Sequence, residues 1–344
     1  MGKMKRTIVL WIFLVALCSV SSVFAQRSFT LMTYNCENAF DTLHDARHDD
    51  YDFLPDGKNH WTRARYWKKL QRIAQVFALA DTVKPLDMAV LQEVENDTVL
   101  THLLRRTKLH AVEYQYVMTD NETLRGIDVA VVFSPYSFHL ISHELVTAPG
   151  NNSSTDKQEH IRPVLHVWGT LSTGDTLDVF AVHLPSRLGA RSAEVQRQKM
   201  GTLLRRHVDS VMLCRQSPSV VIAGDFNDSP HSPVCRKFLQ AQPPVQSSYS
   251  PYTLYNLMEG RKDGSYQFHG TWEWIDQVMV NGRLLLSTNT FHTQPNCVTA
   301  LRSPFLLEAD ETYGGLRPFR TFFGPIYHGG YSDHLPVVVS FSLP

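Results

Sequence analysis

Six times along this chain an apolar run ends on side chains that can hold a cation or move a proton. Leu31-Met32-Thr33-Tyr34 leads into Asn35-Cys36-Glu37-Asn38, and Ala89-Val90-Leu91 into Gln92-Glu93. Val179-Phe180-Ala181-Val182 ends on His183, and Val221-Ile222-Ala223-Gly224 runs into Asp225-Phe226-Asn227-Asp228. Trp274-Ile275 precedes Asp276-Gln277, and Tyr331-Ser332-Asp333-His334 leads into Leu335-Pro336 and the final apolar run. Carboxylates ligate hard cations or accept protons, imidazole exchanges a proton near neutral pH, and carboxamides donate to oxyanions. Alternate residues of a strand share a face. Asn35 and Glu37 are therefore expected to point together with Cys36 opposed, and Asp225 with Asn227 while Phe226 turns into the packing.

Each of these patterns alone has a plain structural reading. An isolated Asp-x-Asn after a strand is more often a turn or a cap. An isolated His after an apolar run is more often a satisfied structural histidine, and Ser-Asp-His could be a solvated loop. Six such strand ends in one chain are not accounted for by caps. Trp61, Tyr66, Trp67, Trp272 and Trp274 could stack on a base, but aromatics on amphipathic helices and near strand ends are expected in the core.

Taken in order, and over nearly the whole chain, these segments resemble one superfamily. Thr33-Tyr34-Asn35, Leu91-Gln92-Glu93, Val182-His183-Leu184-Pro185-Ser186-Arg187, Gly224-Asp225-Phe226-Asn227, Trp274-Ile275-Asp276 and Ser332-Asp333-His334 are similar to the successive motifs of the endonuclease/exonuclease/phosphatase (DNase-I-like) fold. Arg125-Gly126-Ile127-Asp128-Val129-Ala130 and Gly264-Ser265-Tyr266 resemble its exported bacterial members. The resemblance implies a four-layered α/β sandwich, two packed and mostly antiparallel sheets flanked by helices, with the active site at one end. It implies a divalent-metal-dependent phosphoesterase using Mg²⁺, with Mn²⁺ as an alternative.

The same resemblance assigns roles position by position. Glu93 would be the principal metal ligand, since Mg²⁺ is hard and favours a carboxylate with waters retained. Glu37, where many relatives carry Asp, would be a second carboxylate near the metal, and Asp333 would complete that side directly or through water. His334 would contact the scissile phosphate with Asp276 fixing its tautomer. His183 and Asn35 would donate to phosphoryl oxygens, and Asp225 with Asn227 would orient or deprotonate the attacking water. Whether Asp225 or His334 is the base stays open. Arg187 could bind a substrate phosphate bidentately. Arg125 and Asp128 could reach the site or form a structural ion pair.

These residues need strands to carry them. Ser28–Tyr34, Asp87–Leu91, Ile127–Phe133, Val164–Leu171, Leu177–Val182, Val220–Ala223, Gln277–Val280 and Pro336–Phe341 are short, β-branched and apolar, as strands are. Trp67, Leu70, Ile73, Ala74 and Phe77 recur at helical spacing, and so do Val195, Met200, Leu203, Leu204 and Val208. Pro149–Asp156 has loop composition, and Asn296–Gly330, with weak periodicity and many turn formers, is expected to be loop-rich. Strands interleaved with a few long helices predict a layered α/β protein.

The N-terminus has the pattern of a secretory signal peptide. Lys3, Lys5 and Arg6 precede an apolar run from Ile8 to Leu17 that is short for a membrane span, and Val23-Phe24-Ala25 offers a cleavage site. Cys18 follows Leu17 rather than a small residue, which argues against a lipoprotein. Cleavage after Ala25 would leave 319 of the 344 residues as one domain, 26–344, exported to the periplasm or beyond. The formal net charge is +0, and loss of the leader's three cations would take it to −3. No overall basic footprint for long nucleic acids results. Cys36, Cys214, Cys235 and Cys297 are widely spaced and match no zinc pattern; an oxidising compartment allows one or two disulfides, but buried free thiols are expected.

Three functions fit the residues. The first is a nuclease-like phosphodiesterase, and the second is a phosphoesterase on a small or lipid-linked substrate such as a nucleotide, phosphoinositide or sphingomyelin. The third, a binding module that has lost its chemistry, is disfavoured because every motif position is filled. The expected partners are a phosphodiester, in nucleic acid or a smaller or lipid phosphoester, with the protein a monomer lacking a stable protein partner.

Overall fold

A computed structural model describes residues 27–120, 125–147, 162–187, 190–245 and 248–344. The leader at 1–25, with Cys18, and the loop expected at 149–156 lie outside the described residues. Eighteen strands are described: β1 (Ser28–Ala39), β2 (Met88–Val94), β3 (Gln115–Met118), β4 (Asp128–Phe133), β5 (Phe138–Val146), β6 (Val164–Leu171), β7 (Thr176–His183), β8 (Val220–Asp225), β9 (Leu254–Asn256), β10 (Tyr266–Phe268), β11 (Thr271–Glu273), β12 (Asp276–Asn281), β13 (Val298–Ala300), β14 (Leu307–Ala309), β15 (Leu316–Pro318), β16 (Phe322–Phe323), β17 (Ile326–Tyr327) and β18 (Val337–Ser342). Three α-helices accompany them: α1 (Arg63–Ala80), α2 (Asp97–Arg106) and α3 (Ala190–Cys214).

Two six-stranded sheets form, in the orders β13-β18-β1-β2-β4-β3 and β5-β6-β7-β8-β12-β9. Within them, β1 with β2 and β7 with β8 are the parallel pairs, and the other pairs are antiparallel. A parallel pair needs a long crossover, and α1 and α3 lie in those two crossovers. This is the α/β sandwich expected from the sequence.

Alternation along the second sheet assigns its faces. Val179, Ala181, Val221, Ala223, Val278 and Val280 pack into the core shared with the first sheet. Phe180, Val182, Val220, Ile222 and Met279 pack outward, against Met200, Leu204, Val208 and Met212 of α3. Both faces are apolar, so a one-residue slip would put side chains of the wrong size on each face, and burial fixes the register. Val195, expected on the buried stripe of α3, is exposed. On α1 the stripe is Leu70, Ile73, Ala74 and Phe77, all buried, with Trp67 partly buried beside them. The short α2 begins at Asn96, whose side chain accepts from Val99 N at 3.0 Å, and buries Val99, Leu100, Leu103 and Leu104.

The stretch 296–330 holds short strands and a single-turn helix, Pro304–Leu306, with loops between them. It supplies one wall of the site. Trp61 and Trp274 are buried, and Trp67 and Trp272 pack against the core from partly buried positions. Cys36 and Cys235 are buried free thiols, and Cys214 and Cys297 are exposed ones. Among the described residues no helix is long and apolar enough to cross a membrane.

Candidate active site

Strand alternation stops where the chemistry begins. Asn35 pairs with Gln92, but the next β1–β2 pair is Ala39 with Val94. On the other side of β2, pairing jumps from Gln92–Val129 to Val94–Asp128. Glu93 is left out of both ladders with φ +60°, and Glu37 and Asn38 have φ +48° and +57°. The regular strand expected through Glu37 is therefore replaced by a bulge. Left-handed backbone at a non-glycine residue costs roughly 1–3 kcal/mol and persists where its surroundings impose it. Here the bulge turns Glu93 across the strand ends: Oε2 accepts from Asn38 N at 2.9 Å and Oε1 from Asn35 Nδ2 at 3.4 Å.

Asp225 ends β8 beside this carboxylate. Its Oδ1 accepts from Asn227 N at 2.7 Å, and its Oδ2 from Asn35 Nδ2 at 3.1 Å and Asn227 Nδ2 at 3.2 Å. Asn35 thus ties the ends of the two sheets together. Gly224 before it has φ +149°, and a Cβ there would lie 1.9 Å from the Val182 carbonyl oxygen. Phe226 is buried in the outward core, opposite Asp225 and Asn227. His183 Nε2 lies 3.8 Å from Asp225 Oδ2 and 4.0 Å from Glu93 Oε1. Its Nδ1 is buried with no partner. Burial, reinforced by the Arg162 and His334 charges, holds His183 well below the usual histidine range, so it is a neutral imidazole.

His334 is the opposite case. Its Nδ1 lies 2.7 Å from Asp276 Oδ2, which also accepts from Ser265 Oγ at 2.6 Å. Burial opposes the charged form, but Asp276, Asp333 and Asp225 outweigh it and hold His334 well above the usual range as an imidazolium. Burial, then the Asp276 charge, pushes Asp225 up to about 7 against the pull of His334. One neutral and one cationic histidine therefore flank a carboxylate that titrates near neutrality.

The expected metal side has a different character. Glu37 Oε2 accepts from Thr321 N at 2.6 Å and Oε1 from Phe322 N at 3.2 Å, so the 296–330 segment holds both oxygens. Burial, with Asp333 adding to it, pushes Glu37 up to about 7. Asp333 Oδ2 takes Arg320 Nη2 at 2.8 Å, while Oδ1 stands 3.9 Å from His334 Nε2. Burial would raise Asp333, but His334, Arg320 and Lys69 hold it below the usual carboxylate range. Ligand atoms of Asp225, Asp276 and His334 also lie within 4.8 Å of one another, and Asp276 Oδ1 is buried without a partner. Crowded carboxylates and orphaned polar atoms are what a hard divalent cation would relieve, so the donor set fits one.

These groups open on a cavity of about 670 Å³ lined by Glu37, Glu93, His183, Asp225, Asp333 and His334, within the common range of roughly 300–1,000 Å³ for small-ligand sites. Arg187 lines it too, with Nη1 at 2.6 Å from Glu273 Oε2 and Nε donating to Asn227 O at 3.0 Å. Arg125 lines it and donates to Asn38 Oδ1. Asp128 is not among the residues lining the cavity: it is buried at the start of β4 and accepts from the Thr119 hydroxyl.

Three contributors were not foreseen, Arg162, Arg320 and Lys69, and Ser265, which stands with Gly264 and Tyr266 in the resemblance, had no role assigned. Arg162 lines the cavity with its Nε closed off from solvent and without a partner. Buried Lys69 donates from Nζ to Thr321 Oγ1 at 2.5 Å and Tyr331 O at 2.7 Å, bracing the wall that holds Glu37. The expected site residues cluster at strand ends, whereas Arg162 precedes its strand, Val164–Leu171. Because β6 is antiparallel to β7, the start of β6 faces the same end of the sandwich as His183. A cation just before an apolar run was the available signal.

The comparisons with known proteins agree with this geometry. The sequence model of the Endonuclease/Exonuclease/phosphatase family matches residues 30–342. No curated protein matches the sequence significantly. Among solved structures, an endonuclease/exonuclease/phosphatase family protein of Bacteroides thetaiotaomicron superposes with a TM-score of 0.56 at 16% identity, over 93% of this chain and 99% of that one. A mannosyl-6-phosphatase of the same organism gives 0.55 at 17%, over 92% and 100%. D. rerio TDP2 complexed with a single-strand DNA product gives 0.54 at 14%, over 92% and 99%. The chain belongs to the endonuclease/exonuclease/phosphatase family and is a hydrolase of phosphate esters.

Proposed function

We propose that this protein is an exported, Mg²⁺-dependent phosphodiesterase of a single domain, 26–344, acting as a monomer. The observation that carries the chemistry is the pairing of Asp225, held by Asn35 and Asn227, with a His334–Asp276 pair on the same cavity. Water attacks phosphorus, its proton passes to Asp225, and the P–O ester bond breaks, the leaving oxygen taking a proton from solvent. A carboxylate titrating near neutrality suits that general base. Asn35 and Asn227 fix its oxygens. His334, oriented through Nδ1 by Asp276, presents Nε2–H to a phosphoryl oxygen, and neutral His183 supplies a further donor as charge develops. Arg162 and Arg187 hold phosphate oxygens. Glu93, with Glu37 and Asp333, would hold the divalent cation, which when bound acts as a Lewis acid on the phosphoryl group.

The walled cavity also supports a second reading, a small phosphorylated or lipid-linked substrate, and one of the similar structures is a mannosyl-6-phosphatase. The TDP2 complex with a DNA product supports the phosphodiester. Export rests on the leader pattern, which is independent of the site. Mature protein assayed with Mg²⁺ or Mn²⁺ on plasmid DNA, RNA, phosphoinositides, sphingomyelin, bis(p-nitrophenyl) phosphate and p-nitrophenyl phosphate separates the readings. Hydrolysis of the diesters, abolished by EDTA and in Glu93→Ala and His334→Ala, is expected. Turnover of phosphoinositides, sphingomyelin or p-nitrophenyl phosphate without plasmid DNA or RNA would select the second reading, and no EDTA-sensitive hydrolysis of any substrate would overturn both.

A further inference from the structure

The geometry points to a second metal site, for Zn²⁺, formed by Glu144, His166 and His207 on the outer face of the second sheet. Glu144 on β5 is the cross-strand partner of His166 on β6, and His207 reaches them from α3. Glu144 Oε1 is 3.0 Å from His166 Nδ1 and 3.0 Å from His207 Nε2, and the two ring nitrogens are 3.4 Å apart. Tetrahedral zinc with bonds of about 2.0–2.1 Å sets its ligands roughly 3.3–3.4 Å apart. The three donors are thus already near coordinating separation.

The surroundings offer a partner for the tautomer such a site needs. His166 Nε2 lies 3.0 Å from Asp178 Oδ1, and Arg215 clamps that buried carboxylate through Nη2 at 2.8 Å and Nε at 3.0 Å. With Nε2–H donated to Asp178, the Nδ1 lone pair faces Glu144 and His207. A carboxylate behind a histidine in this way is the usual support of a zinc ligand. The His166 ring stacks on Phe180 at 4.1 Å and 6°, so its direction is set by packing.

Glu144 and His207 keep 47% and 27% of their side-chain surface exposed, giving an ion an entry path and room for water as a fourth ligand. Asp178 stands five residues before His183 on β7, roughly 16 Å away along the strand, so the two sites do not share ligands. Bound zinc would fasten the edge strand β5 to α3.

Metal-stripped mature protein in excess Mg²⁺ is titrated with Zn²⁺ against a chromophoric chelator, and Co²⁺ is added separately to read tetrahedral visible absorption. One Zn²⁺ per chain is expected in wild type and in Glu93→Ala, with binding at least about tenfold weaker in His207→Ala and in Glu144→Ala. The Co²⁺ bands are expected in wild type and absent in His207→Ala, whose fold is checked by circular dichroism. Absence of stoichiometric Zn²⁺ in wild type, loss of it in Glu93→Ala, or unchanged affinity in both His207→Ala and Glu144→Ala would overturn the site.

Discussion

Asp276 Oδ2 and His334 Nδ1 meet at 2.7 Å in the protein interior, one from the first residue of a strand in the second sheet and the other from the turn before the last strand of the first. The pair joins the two sheets where the cavity opens. Asp276→Asn keeps the shape but removes the charge that holds His334 as an imidazolium. A supporting partner of this kind is worth about 10–100-fold. The expected result is a fall of that size in kcat with KM nearly unchanged, read from steady-state kinetics. Unchanged kcat would remove the positioning role.

Metal dependence has a direct check. Protein dialysed against EDTA is expected to be inactive and to recover with Mg²⁺ or Mn²⁺. Glu93→Ala is expected to lose at least about 100-fold of activity at saturating Mg²⁺, with a normal circular dichroism spectrum.

Asp225 predicts an inverse relation between stability and pH. Its folded pKa, about 7, is raised by burial and then by Asp276, whereas an unfolded Asp titrates near about 3.9. Between those values the folded state holds the proton that the unfolded state has lost, so this group's contribution falls as pH rises from about 4 to about 7 and then levels. Asp225→Asn, measured without metal, is expected to raise the melting temperature over wild type more at pH 8 than at pH 4 while abolishing turnover. An equal difference at both pH values would contradict the buried carboxylate's cost.

Arg162 separates binding from chemistry. The Arg162 side chain lines the cavity while its Nε is buried without a partner, so Arg162→Ala is expected to raise KM by about tenfold, some 1.4 kcal/mol, with a smaller change in kcat. A kcat loss without a KM change would place the residue in the transition state instead.

Gly224 is a test of backbone geometry. Alanine there would need φ +149° and a Cβ 1.9 Å from the Val182 carbonyl oxygen. Strain and overpacking each cost about 1–3 kcal/mol, so Gly224→Ala is expected to lower the urea midpoint clearly and to displace Asp225 from Asn35. A midpoint equal to wild type would mean that β7 and β8 can part without cost.

Strands β1, β2, β7, β8 and β12 were legible because their apolar runs are long relative to their turns, and α1 because its stripe keeps helical spacing. The helix α2 and the strands β3, β5 and β9 were not, since short elements or mixed faces give little periodicity; β5 exposes Leu140, Ile141 and Leu145. Val195 faces solvent because it stands five residues before Met200, about 140° around the helix, whereas Ala193 and Arg197, seven and three residues before Met200, lie on its face and are buried.

At the site, residue types and order along the chain were determined by the sequence: Asn35, Glu93, His183, Asp225, Asn227, Asp276 and His334 stand at strand ends and nowhere else in the pattern. What each does was decided by the tertiary structure. The two histidines have the same intrinsic chemistry, yet burial beside Arg162 leaves His183 neutral and burial beside three carboxylates leaves His334 charged. The bulge that turns Glu93 inward, the loop amides on Glu37, and the arrival of Arg162 from the start of an antiparallel strand depend on which chain ends the two sheets bring together. Charge and desolvation act through space, so neighbours distant in sequence set them.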